Sequence, residues 1–165
     1  MDIENLIRRN NILVELFGNL NEIGIPSLGI YSLGDEPTPW AIPQHTRSVS
    51  WLVEAQIVHT IQSNSIPLGI ERMQTPDVDD SPWDLMMSID GETFYVDIKT
   101  FQANADRTVP GDLISIVRWN DFRQSEESDY WEQGNDTETT LNYATFEVEL
   151  NGNEIRIAYD VVFPI

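Results

Sequence analysis

An α/β domain that ends in a β-hairpin is the fold the sequence predicts, on three observations. Two stretches, 3–20 and 48–62, carry apolar residues at helical spacing. The run 84–99 reads as two strands joined at Asp90-Gly91, and 143–163 repeats that pattern around Asn151-Gly152. With 165 residues, 41% of them hydrophobic, and five tryptophans, the chain has material for one core, so 1–165 is expected to be a single domain.

The first helix follows Asp2, a good N-cap, and presents Ile3, Leu6, Ile7, Leu13, Phe17 and Leu20 as a stripe that Arg8-Arg9 and Asn10-Asn11 interrupt. Residues 24–46 hold Pro26, Gly29, Gly34, Pro37, Pro39 and Pro43 and read as a long irregular connection. The second helix has Thr46 and Ser48 as cap candidates and gathers Val49, Val53, Ile57, Val58 and Ile61 on one side. Glu54 falls inside that apolar sector, where an unpaired carboxylate costs free energy; it either has a partner or reaches solvent from the helix edge. A short strand is expected over 66–73, then an acidic, proline-bounded loop over 74–82. Strands 84–89 and 93–99 follow, with another over 113–118. The segment 120–140, rich in Asp and Glu, reads as a solvated loop or a polar helix.

The Asp90-Gly91 turn carries the chemistry because a two-residue turn sets the register. Ile89 then faces Glu92, Met87 faces Phe94 and Leu85 faces Val96. Side chains alternate across a strand, so Leu85, Met87, Ile89, Phe94, Val96 and Ile98 share an apolar face. Asp84, Met86, Ser88, Thr93, Tyr95, Asp97 and Lys99 share the other. Asp84 lies across from Asp97, and like charges so placed repel; one is protonated, or a cation lies between them. Lys99, the single lysine of the chain, is on the same face two residues on. Two close carboxylates without cysteine or clustered histidine suit a hard, oxygen-seeking ion, Mg²⁺ in particular. A lysine beside such an ion can help orient or deprotonate a metal-bound water and can steady developing phosphorane charge. A surface hairpin with a solvated charge cluster is the plainer alternative.

Composition narrows the classes. The absence of cysteine rules out disulfides and thiolate metal sites, and His45 and His59 are too isolated for zinc or a triad. No P-loop, dinucleotide fingerprint or nucleophile elbow occurs. The start of the chain lacks a basic, apolar leader, and no run approaches the ~18 apolar residues of a membrane span, so a cytoplasmic protein without a membrane partner is expected. Twenty-eight acids against nine Lys plus Arg give a net charge of −19. That balance fits a salt-rich cytoplasm, a protein that repels or imitates nucleic acid, or an ordinary acidic protein.

The constellation resembles the PD-(D/E)xK nuclease superfamily, the fold of many restriction endonucleases, junction resolvases and repair nucleases. Asp84, in Pro82-Trp83-Asp84, looks like its acidic residue at a strand start, and Asp97-Ile98-Lys99 looks like its (D/E)xK. Glu54 matches the glutamate many members carry on a preceding helix, and Thr100 resembles the residue after the lysine. The likeness covers about 48–118, with the proline two residues before the aspartate instead of adjacent. It implies a restriction endonuclease-like mixed central sheet flanked by helices, with a crossover helix after residue 118. It also implies a Mg²⁺-dependent endodeoxyribonuclease, with Mn²⁺ as a substitute ion, and a homodimer if both strands are cut. Asp84, Asp97, the Ile98 carbonyl and Glu54 would ligate the metal, and Lys99 would position the attacking water. Arg107, Arg118 and Arg123, and a patch of Arg8, Arg9 and Arg47, are the candidates for phosphate contacts. Trp40, Trp119 and Trp131 are those for base stacking, with core packing as the commoner alternative for a tryptophan. A catalytically inactive, nuclease-like or acidic inhibitor of a DNA-binding partner is the competing function, and a plain structural domain of a larger assembly is the third.

Overall fold

In the computed structural model, which describes residues 2–29, 47–77, 81–103, 119, 141–151 and 154–164, Asp2 caps the first helix as expected. Its Oδ1 accepts the Asn5 amide at 2.8 Å, satisfying a donor that α1 (Ile3–Ile23) cannot pair internally. Gly24 ends the helix at a φ of 87°, in a region other residues avoid. The remaining elements are β1 (Leu28–Gly29), α2 (Arg47–Ser63), β2 (Arg72–Gln74), β3 (Leu85–Ile89), β4 (Glu92–Gln102), β5 (Leu141–Asn151) and β6 (Glu154–Pro164). The six strands form one mixed sheet in the order β1-β6-β5-β4-β3-β2. β4 and β5 run parallel; the other neighbours run antiparallel. No described helix is long and apolar enough to cross a membrane.

The expected hairpin register holds: Leu85 pairs with Val96, Met87 with Phe94 and Ile89 with Glu92. Asp90 and Gly91 both take positive φ, 52° and 75°, as a tight turn matched to strand twist requires. The apolar face packs where the alternation put it. Leu85, Met87, Phe94, Val96 and Ile98 meet Leu13, Phe17 and Leu20 of α1 and Val53, Ile57 and Ile61 of α2. The opposite face gathers Trp83, Met86, Tyr95, Trp119, Leu141 and Tyr143 into a second, aromatic cluster. A sheet buried on both faces needs apolar residues on both, which explains the nearly continuous burial from Phe94 to Ile98.

Parallel pairing of β4 with β5 demands a crossover between them, and residues 103–140 supply its length. The strand expected over 113–118, the segment 120–140 and its crossover helix, most of 24–46, and Thr46 as a cap lie outside the described residues. So do Trp40, Trp131, Arg107, Arg118 and Arg123, and the side chain of Arg47.

Three expectations are corrected. The strand over 66–73 shrinks to β2, because the chain turns first. The Leu68 amide donates to the Asn64 carbonyl, the Ile70 amide donates to the Ser65 carbonyl, and Gly69 takes a φ of 73°. Ile66 is left 90% exposed. Trp119 is buried beside Tyr95, ring centroids 5.1 Å apart, so it is no stacking surface. Arg8 and Arg9 form no phosphate patch, since both end on Glu92 at the hairpin turn.

Candidate active site

Three elements converge on the carboxylates. The Asp84 amide donates to the Val96 carbonyl at 2.9 Å, extending the β3–β4 ladder by one residue. Its Oδ2 accepts the Ile98 amide at 2.7 Å, which turns the carboxylate toward the middle of β4. Asp97 is only 5% exposed and sits on the face opposite the Ile98 side chain. Lys99 follows on that face, its Nζ 3.0 Å from Asp97 Oδ2 and 5.5 Å from the centre of the Tyr143 ring. The parallel register pairs Asp97 with Tyr143 and Lys99 with Thr145, so β5 supplies that ring.

α2 brings the third carboxylate. Its buried side, Val53, Ile57 and Ile61, lies on the core, and half-buried Glu54 stands at the edge of that side, hydrogen-bonded to Asp84. One turn earlier, Ser50 Oγ accepts from Thr100 Oγ1 at 3.4 Å, tying α2 to the residue after Lys99. Glu54, Asp84, Asp97 and Lys99, distant in sequence, thus form one cluster. Tyr143 and the Ser50–Thr100 link were not foreseen. Nothing in the local sequence around Tyr143 says that β5 pairs with β4.

The electrostatics follow from crowding. Burial, then the Glu54 charge, raises Asp84 to about 6. Burial, then the Asp84 charge, raises Asp97 to about 7, against the lowering pull of Lys99. Glu54 is also raised, first by burial, although its hydrogen bond to Asp84 acts the other way. The carboxyls interact in series, Asp97 with Asp84 and Asp84 with Glu54, and near neutrality Asp97 and Asp84 share protons that isolated carboxyls would have lost. Burial acts to lower the Lys99 pKa, but Asp97, with Tyr143 and Asp84, outweighs it and leaves the pKa raised. Lys99 is therefore a fixed ammonium and no base.

Three carboxylates face one ammonium, and burial first, then their mutual repulsion, raises the carboxyl pKa values. All the donors are oxygens, the chemistry of a hard divalent ion. Among the described residues no three His, Cys, Asp or Glu side chains are laid out as a metal-holding group. That agrees with carboxyls turned toward one another and an Asp84 oxygen occupied by the Ile98 amide. The donor set fits such an ion after the carboxyls lose their shared protons.

No protein-family model matches this chain, and no curated protein matches it.

Proposed function

We propose that this protein hydrolyses phosphodiester bonds of DNA, as a metal-dependent endonuclease of the PD-(D/E)xK kind. The observation that carries the reading is the Lys99–Asp97 pair standing with Asp84 and Glu54 at the end of a buried hairpin. Asp84 and Asp97 would hold a Mg²⁺, with the Ile98 carbonyl and Glu54 as further donors. When bound, such an ion supplies Lewis-acid polarisation of the phosphate and a more acidic water.

The chain's own residues do the rest. Asp97 fixes the Lys99 ammonium, which is 38% exposed at its side chain and so can reach a phosphate oxygen or the attacking water. Because Lys99 keeps its proton, its role is to orient the attacking water and stabilise negative charge, not to act as the base. The Ile98 amide orients Asp84, and α2 sets Glu54 against it.

Plasmid incubated with the protein and Mg²⁺, at low and at high KCl, tests this. Cleavage is expected, and Asp97→Ala and Lys99→Ala are each expected to reduce it by at least about a hundredfold. Cleavage that survives either change sinks the assignment. A second reading, an inactive nuclease-like binding protein, is favoured by the net charge of −19 and by carboxyls that satisfy one another. It requires that no divalent ion bind at the hairpin.

A further inference from the structure

We propose that Trp51 is a stacking platform for an unpaired base beside the acidic site, so that the substrate is DNA with single-stranded or splayed nucleotides there. This rests on the nuclease reading and names its substrate class.

Trp51 is 67% exposed, an unusual position for the largest apolar side chain. It stands on the side of α2 that leads to the site. At ~100° per residue, Ser50, Glu54, Ile57 and Ile61 fall within about 60° of one another, and Trp51 lies about 60° beyond Glu54. Residues three apart on a helix have Cβ atoms about 5–6 Å apart, so the indole begins one side chain away from the Glu54–Asp84 contact. Leu52, also exposed, points to the back of the helix, about 160° from Glu54. Among the described exposed apolar side chains of α2, Trp51 is the one that combines exposure with proximity to the carboxylates. It is also next to Ser50, whose hydroxyl holds Thr100 at the end of the catalytic strand segment.

Charge points the same way. Arg8 and Arg9 answer Glu92 and Lys99 answers Asp97, so among the described residues at least these three cationic side chains are engaged with acids of the protein itself. A chain of net charge −19 has little to offer a duplex whose affinity comes from phosphate neutralisation. Stacking needs no charge and tolerates salt, but it needs a base whose face is free, which an intact duplex does not present.

The test compares wild type, Trp51→Ala and Trp51→Phe on three substrates of one sequence: single-stranded, splayed-end and fully paired DNA. Cleavage is followed in Mg²⁺, and binding of the labelled strands by fluorescence anisotropy in Ca²⁺. Wild type is expected to prefer the single-stranded and splayed substrates. Trp51→Ala is expected to raise KM and Kd for them about tenfold with kcat little changed, and Trp51→Phe to restore most of the loss. An unaltered KM and Kd in Trp51→Ala, with wild-type cleavage intact, overturns the role of Trp51 and leaves the nuclease reading standing. Wild type that binds and cuts only paired DNA overturns it too. Wild type that neither binds nor cuts any of the three removes the nuclease reading, and this inference with it.

Discussion

Asp97 answers two opposing demands. Its burial and the facing Asp84 favour the neutral acid, while Lys99 at 3.0 Å favours the carboxylate. The first pair of effects wins, and the pKa stands at about 7. A carboxyl raised this far holds its proton more tightly folded than unfolded. Its contribution to stability is thus complete below the unfolded value near 4 and is lost as pH rises through about 7. Asp97→Asn, neutral at every pH, is expected to gain on wild type by on the order of 2 kcal/mol between pH 5 and pH 8 in EDTA. Thermal melts of the two proteins across that range check it; a constant difference would mean that Asp97 is ionised throughout. Much of this was legible in sequence: Glu54 in an apolar sector and Asp84 opposite Asp97 both announced a charge problem. Tyr143 was not, because its place beside Lys99 depends on a pairing made across the long connection before β5.

The hairpin is the most legible element because its register is a local matter. Asp90 and Gly91 accept positive φ, and alternation then assigns every side chain of β3 and β4 to a face. β2 shows the opposite case. Its apolar residues suggested a strand from 66, but Pro67 and Gly69 belong to turns closed by their own hydrogen bonds. α1 was legible as a helix, while its anchor was not. Arg9 lies in line with Leu13, Phe17 and Leu20, the same anomaly that Glu54 makes in α2. Buried, it donates to Glu92 Oε2 at 2.7 Å and to the Thr93 carbonyl at 2.6 Å, with its guanidinium 4.4 Å from the centre of the Phe94 ring. Arg8 donates to the same glutamate, whose pKa is lowered chiefly by that bond. The latch holds α1 against the turn that sets the site's register. Arg9→Ala is expected to cost about 2–3 kcal/mol and to lower the melting temperature by about 5–10 °C. Glu92→Gln should cost less, since an amide still accepts. Equal melting of Arg9→Ala and wild type would show the latch to be idle.

At the scale of the molecule, acidity and site are separate matters. A net charge of −19 on 165 residues strains the folded state through self-repulsion, which salt relieves. Raising KCl from about 0.1 M to 2 M is expected to stabilise the protein by a kcal/mol or more, about 2–4 °C in melting temperature. An unchanged or falling melting temperature would remove repulsion from the account. The mixed sheet explains why a charge cluster survives inside such a protein: strands buried on both faces carry Asp97 out of bulk water, where its attraction to the part-exposed Lys99 is stronger. Strand order was beyond the sequence, because β4 meets β5 only after a segment whose local pattern does not reveal its partner.

Calorimetric titration with Mn²⁺ at pH 6.5, run in two buffers of different ionisation heat, tests the central claim most directly. One ion is expected to bind wild type with release of protons, seen as a buffer-dependent heat, because Asp84 and Asp97 at about 6 and about 7 must give up what they share. Asp84→Asn and Asp97→Asn should abolish that binding. Mn²⁺ that fails to bind wild type, or that binds all three proteins alike, would contradict a metal site at the hairpin.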